Sequence, residues 1–296
     1  MKKMFAAVTA ALVLVTLFSG CAQPAAVTAE PVATETPVCT TPPAEPEATP
    51  EPAPVELIVF AAASMTESLN TIQQMYRKVA PQVTILYNFD SSGTLKTQIE
   101  EGADCDLFIS AGQKQMNQLD STAAADVNPE GLDFVEQGTR FDLVSNEVVM
   151  IVPEGSESAI ASFEDVLSDA VSLIALGNSD VPVVQYSEEI YTNLGLWEDL
   201  VNSGKVSYGT NVKEVLSQVA SASVDCGIVY STDAATATGV KVVCAAPAGS
   251  HKSITYPAAV LKTAQHPDAA KAFAAYLQSD ACSAVFEQIG FLIPQR

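Results

Sequence analysis

The 296-residue sequence predicts an α/β protein with mainly parallel sheets. Three observations lead there. Short apolar strands and amphipathic helices alternate from Glu56 to the C-terminus. Strand ends run straight into helix starts marked by small or polar residues, as at Ala63-Ser64. A hydrophobic share of 48% is enough to bury a core in one large domain or two modest ones.

The chain opens with Lys2 and Lys3, continues in the apolar run Ala6 to Phe18, and breaks at Ser19-Gly20-Cys21. That run has the length of a signal-peptide core and is too short for a typical spanning helix. Residues 1–20 therefore read as an export signal. Small residues just before a cysteine resemble the bacterial lipobox, in which the cysteine receives lipid after cleavage; Phe18 stands where leucine is more usual. Cys21 is the expected lipidation site, anchoring the exported chain to the outer face of the cell membrane, with plain secretion as the alternative. Residues 21–54 hold nine of the 17 prolines and five glutamates, without Lys, Arg or an aromatic residue. Such a stretch cannot pack a core and reads as an extended, self-repelling tether.

From Glu56 to Phe60 the chain reads as a strand, followed by a helix whose apolar positions Leu69, Ile72, Met75, Tyr76 and Val79 recur at helical steps. Ser64 stands where its N-cap belongs. A strand over Val83 to Phe89, a helix from about Leu95 to Glu101 and a strand over Asp106 to Ser110 come next. The alternation continues with strands at 147–152 and 172–176 and helices near 162–167, 184–194 and 212–221. Strands at 226–230 and 240–245 precede two closing helices at 269–277 and 281–289.

Composition excludes several functions. With 14 basic against 35 acidic residues the formal charge is −21, which repels phosphate backbones and argues against nucleic-acid binding. Of six cysteines, Cys21 belongs to the lipobox and Cys39 to the tether. Cys105, Cys226, Cys244 and Cys282 form no CxxC or Cys/His zinc spacing and read as unpaired structural thiols, with one disulfide left open. The two histidines, His251 and His266, lie in polar stretches and read as surface residues. No GxSxG elbow, P-loop or GxGxxG fingerprint occurs, and Glu100-Glu101 and Glu188-Glu189 read as solvated helix faces. Tyr186, Tyr191 and Tyr230 leave iron binding as a minor alternative.

Four helix starts share one feature, a turn or a small or polar residue directly before the helix: 63–66, 91–94, 180–183 and 210–213. Each alone is an ordinary cap. Converging, their unpaired N–H groups and positive dipole ends would hold an anion without any cationic side chain.

The runs AAASMTESL, NFDSSGTLKTQIEEGADCDLFISAGQKQM and GIVYSTDA, and GVKVV ahead of SHKSITYPAAV, resemble the extracytoplasmic molybdate-binding proteins of molybdate ABC transporters. The likeness spans about Glu56 to Ile293, with AAASMT and DLFISA its most specific parts. It implies the type II periplasmic-binding-protein fold, two α/β lobes joined by a two-strand hinge and closing over one tetrahedral oxyanion. Lobe 1 would comprise residues 55–141 plus 246–296, and lobe 2 residues 142–245. It also implies ligand contacts at Ser64, Ser92, Val183, Val212 and Tyr230, the two valines through backbone N–H. Molybdenum would be bound only as the oxyanion, through the same residues. No cofactor or catalysis is implied. The implied partners are an ABC permease and its ATPase, and the protein is expected to act as a monomer.

These residue types suit a dianion that offers only acceptor oxygens. Donor-only walls would reject protonated phosphate, and smaller sulfate would leave its donors too far away; tungstate should enter as well as molybdate. Gly93 stands where another serine is common, leaving an N–H that can approach a ligand closely. Asp90 would repel a dianion, so its carboxylate is expected to face outward; facing inward, it would permit an expanded shell around the metal, as in more distant tungstate-binding relatives. The remaining alternatives are a binding protein for another oxyanion, such as sulfate, and a secreted serine-dependent hydrolase.

Overall fold

A computed structural model describes residues 53–157 and 159–294. The expected export signal, the expected lipidation site Cys21 and the expected tether as far as residue 52 lie outside the described residues, as do Gln295 and Arg296.

In chain order the regular elements begin with β1 (Val55–Ala62), α1 (Thr66–Val79), β2 (Val83–Asp90), α2 (Ser92–Glu100), β3 (Leu107–Ile109) and α3 (Gln113–Gln118). Then come β4 (Phe141–Asn146), β5 (Val148–Pro153), β6 (Ile174–Gly177), α4 (Pro182–Asn193), α5 (Trp197–Asn202) and β7 (Val206–Gly209). The chain ends with α6 (Val212–Ala220), β8 (Cys226–Tyr230), α7 (Ser231–Thr236), β9 (Val240–Ala245), β10 (Ile254–Val260), α8 (Pro267–Leu277) and α9 (Asp280–Ile289).

The strands build two five-stranded sheets, ordered β2-β1-β3-β10-β4 and β7-β6-β8-β5-β9. Each defines one lobe. The sheets are mixed rather than mainly parallel. β1, β2 and β3 run parallel, as do β6, β7 and β8, because helices return the chain between them. The strands that carry the chain between lobes pair antiparallel: β10 with β3 and β4, and β5 with β8 and β9.

β4 ends at Asn146 in the first sheet and β5 starts at Val148 in the second, so Glu147 marks one crossing. The return runs from Ala245 at the end of β9 to Ile254 at the start of β10. The sequence boundary at Asp142 thus falls inside β4, whose polar Asp142, Ser145 and Asn146 hide its strand character; pairing with β10 reveals it. β10 escapes a pattern reading for a related reason. Pro257 lacks an N–H and sits at a register shift.

Helices cover the sheets. α1 buries Leu69, Ile72 and Tyr76 and leaves Val79 exposed. Full burial of each such side chain stabilises by about 1.5–3 kcal/mol. Tyr76 also packs its ring against Phe273 and Tyr276 of α8, both at 4.9 Å, tying the C-terminal helices to the first lobe. The four domain cysteines are free; Cys105, Cys226 and Cys282 are buried and Cys244 half-buried.

Candidate functional site

Between the lobes lies a small cavity, partly open to solvent, where helix starts from both sheets face one another. Ser64, Ser92, Val212 and Tyr230 line it, together with Ala62, Ala63, Asp90, Ser91, Ala111, Val181 and Pro182. Four of the five residues singled out from sequence are therefore brought together. Val183 does not line the cavity with its side chain, which is buried, and its neighbours Val181 and Pro182 form that wall. As the second residue of α4, after a proline with no N–H, Val183 still carries a first-turn amide without an intrahelical acceptor.

β1 ends at Ala62, and the chain tightens into a 3₁₀ turn over Ala63–Met65 before α1 begins. The cap expected of Ser64 is not made. Its Oγ instead meets Tyr256 Oη at 3.0 Å. Tyr256 Oη accepts a hydrogen bond from Asn146 Nδ2 at 3.1 Å. The phenol oxygen keeps a second lone pair, so either hydroxyl of the Ser64–Tyr256 pair can donate to the other. Asn146 is fixed in turn, since its Nδ2 donates to Thr232 Oγ1 (2.9 Å) and its Oδ1 accepts from Ser231 Oγ (3.0 Å) and the Glu147 N–H (2.9 Å). An asparagine at the lobe crossing thereby holds the phenol that meets a hydroxyl of the site.

At the start of α2 the two serines divide their work. Ser91 is the cap, its Oγ accepting the Thr94 N–H at 3.1 Å. Ser92 Oγ accepts the Ala111 N–H at 2.9 Å, so its own proton is available to a guest. Ser92 is completely buried. Across the cleft, Asn211 caps α6 by accepting the Glu214 N–H at 3.0 Å, leaving the Val212 and Lys213 amides outside the helical ladder.

Tyr230 closes β8 and stacks edge-on against Tyr256, with ring centroids 5.7 Å apart. Burial drives both phenols well above their ordinary pKa, so each stays a protonated donor. Tyr230 Oη donates to the Ala111 carbonyl at a long 3.4 Å and also interacts with the Tyr256 hydroxyl.

Two expectations change. The Gly93 N–H, expected near a ligand, donates to the Asp180 carbonyl of the other lobe at 2.9 Å. Asp90, expected to face outward, belongs to the cavity wall. Its Oδ1 accepts the Ser91 N–H at 2.7 Å, and Asn211 Nδ2 approaches it at 3.4 Å, because β2 ends here and the first amide of the turn needs an acceptor.

No Lys or Arg is among the lining residues. The walls can present hydroxyls and first-turn amides to an anion, with fixed dipoles in place of mobile cations. They are not arranged for nucleophilic attack: Ser64 is bonded to a phenol rather than to an imidazole or carboxylate base. Neither histidine lines the cavity. His251 meets the Tyr186 ring at 5.8 Å, and the His266 N–H donates to Asp106 Oδ1. Tyr186 and Tyr191 are buried outside the lining. Ala111 and Tyr256 were missed from sequence. Both act through tertiary contacts that no local pattern records.

Comparison with known proteins agrees with this architecture. The family model described as bacterial extracellular solute-binding protein matches residues 57–292. YvgL of Bacillus subtilis, provisionally named an ABC transporter substrate-binding lipoprotein, is 38% identical over 238 residues, covering 80% of this chain and 86% of that protein. The molybdate-binding protein ModA of Haemophilus influenzae is 36% identical over 245 residues, covering 81% and 91%. The solved periplasmic molybdate-binding protein of Azotobacter vinelandii superposes with a TM-score of 0.69 at 22% identity, over 81% of this chain and all of that one, and so shares the fold. The two-lobed chain, with its donor-lined cleft and no catalytic base, belongs to the bacterial extracellular solute-binding protein family, whose members bind solutes rather than transform them.

Proposed function

We propose that this protein captures molybdate outside the cytoplasm and delivers it to an ABC permease and its ATPase, with tungstate accepted as well. The observation that carries the reading is the meeting of hydroxyls from Ser64 and Ser92 with Tyr230 and the α6 start around one cavity free of Lys and Arg. A tetrahedral dianion has acceptors only, so hydroxyl and amide hydrogens serve it, and their neutrality keeps release practicable. The relatives named for molybdate support this choice among oxyanions. Contacts are assigned to Ser64, Ser92 and Tyr230 through hydroxyls, and to Val183 and Val212 through backbone N–H. Lobe 1 takes residues 55–146 and 254–294, and lobe 2 residues 148–245. The protein works as a monomer held at the outer face of the membrane through lipid on Cys21, as the lipoprotein name of its Bacillus relative suggests.

A thermal-shift screen tests the ligand. Only a guest that binds the folded state raises the melting temperature, so molybdate and tungstate should raise it at micromolar concentration while sulfate and phosphate leave it unmoved. A shift with sulfate alone would replace the proposed ligand with that anion.

A further inference from the structure

Three charged groups meet at the seam between the lobes. Lys213 Nζ lies 2.9 and 3.0 Å from the two carboxylate oxygens of Glu67 and 3.0 Å from Asp233 Oδ1. Glu67 occupies the first turn of α1 in the first lobe, whereas Lys213 and Asp233 belong to α6 and α7 of the second. Each follows closely on a residue of the cavity wall. Glu67 is three residues after Ser64, Lys213 is next to Val212, and Asp233 is three residues after Tyr230. The triad therefore ties three walls of the cavity together from behind.

The two carboxylates are not equivalent. Asp233 is fully buried, and Lys213 is its cation within the same lobe. A buried charge without a partner is strongly destabilising, so this pair is needed whether the lobes are apart or together. Asp233 has no exposed surface, and this burial pushes its carboxyl up to about 6 even against the pull of Lys213. Glu67 is 41% exposed and can exchange its bond for water at small cost. Two carboxylates already claim the ammonium, so Lys213 is not available as a ligand for the guest.

We propose that Lys213, held ready by Asp233, latches Glu67 when the lobes come together, and that this latch sets how long the captured oxyanion stays. The inference deepens the oxyanion reading and rests on it. Lys213 is a positioning residue: its bonds hold the Val212 start of α6 against the Ser64 side of the cleft.

Glu67→Gln tests the latch while leaving the Lys213–Asp233 pair intact, so folding is not at stake. After rapid dilution, molybdate should leave Glu67→Gln roughly fivefold faster than wild type, with the association rate unchanged, because interactions made only in the closed form act on release. Raising KCl to 1 M should speed release from wild type and not from the variant. Equal release rates at low salt would overturn the latch. If wild type binds none of molybdate, tungstate, sulfate or phosphate, the oxyanion reading fails by itself. The latch is then judged by spin labels at Val79→Cys and Tyr208→Cys, exposed positions on opposite lobes. The wild-type distance distribution should contain a short population that Glu67→Gln depletes, and identical distributions would overturn it.

Discussion

Gly93 and Asp180 touch backbone to backbone across the cleft. The Gly93 N–H donates to the Asp180 carbonyl at 2.9 Å, and a Cβ built on Gly93 would stand 2.5 Å from that oxygen and 2.6 Å from the Asp180 Cα. Nothing flexible is there to yield. The glycine is thus what lets the start of α2 and the approach to α4 come this close.

Gly93→Ala should therefore weaken molybdate binding while sparing the separated lobes. We expect about a tenfold rise in Kd by titration calorimetry, equivalent to ~1.4 kcal/mol. The ligand-free melting temperature should hold or rise slightly, since alanine suits a helix better than glycine. An unchanged Kd would mean that the lobes tolerate a wider seam.

Ser64→Ala and Ser92→Ala each remove a hydroxyl donor to a charged guest. Hydrogen bonds of that kind contribute about 1.5–3 kcal/mol, or roughly 10- to 150-fold in Kd. Ser92→Ala should also lower the ligand-free melting temperature, because the buried Ala111 N–H loses its acceptor. Calorimetry showing wild-type affinity in both variants would remove these serines from the site.

Asp90→Asn should tighten binding of the dianion by about threefold or more at low ionic strength. The substitution removes the one carboxylate of the lining, and its amide oxygen can still accept the Ser91 N–H. The gain should shrink as salt is added. Weaker binding would show that the carboxylate organises Asn211 more than it repels the guest.

Acid stability should depend on Asp120, which is outside the cavity lining. Burial works against its ionisation, but the Thr122 N–H and hydroxyl, Arg140 and Gln137 outweigh it and hold its pKa down at about 2, against 3.8 ordinarily. Between those values the unfolded chain binds more protons than the folded one. The stabilisation is thus complete above about pH 5 and lost as the pH falls through 2. Denaturant unfolding of wild type and Asp120→Asn should show that the destabilisation caused by the substitution shrinks over that window.

Much of the fold was legible because strand and helix periods survive in the sequence. β8 and β9 were read at their observed ends, and the amphipathic face of α1 was visible in Leu69, Ile72 and Tyr76. The hidden elements were short or polar, such as α3, α5, β7 and α7, or were interrupted by proline, as in β10. The starts of α2 and α6 were equally readable, since the caps Ser91 and Asn211 leave a local signature, whereas α1 and α4 begin without a side-chain cap. Partnerships were not. Nothing near Ser64 announces a phenol 192 residues away, and nothing near Gly93 announces the carbonyl that takes its N–H.

Local chemistry in the sequence was thus sufficient to determine two properties: helices begin with free amides beside hydroxyls, and the chain is too acidic to attract an anion by net charge. Tertiary structure alone decided which of those groups remain free. Packing spends the Gly93 amide on the other lobe, turns Asp90 onto the cavity wall and joins the Ser64 hydroxyl to Tyr256, which Asn146 holds in turn. The physical reason is that a hydrogen bond is a pairwise commitment, and most of these partners lie tens to hundreds of residues away along the chain.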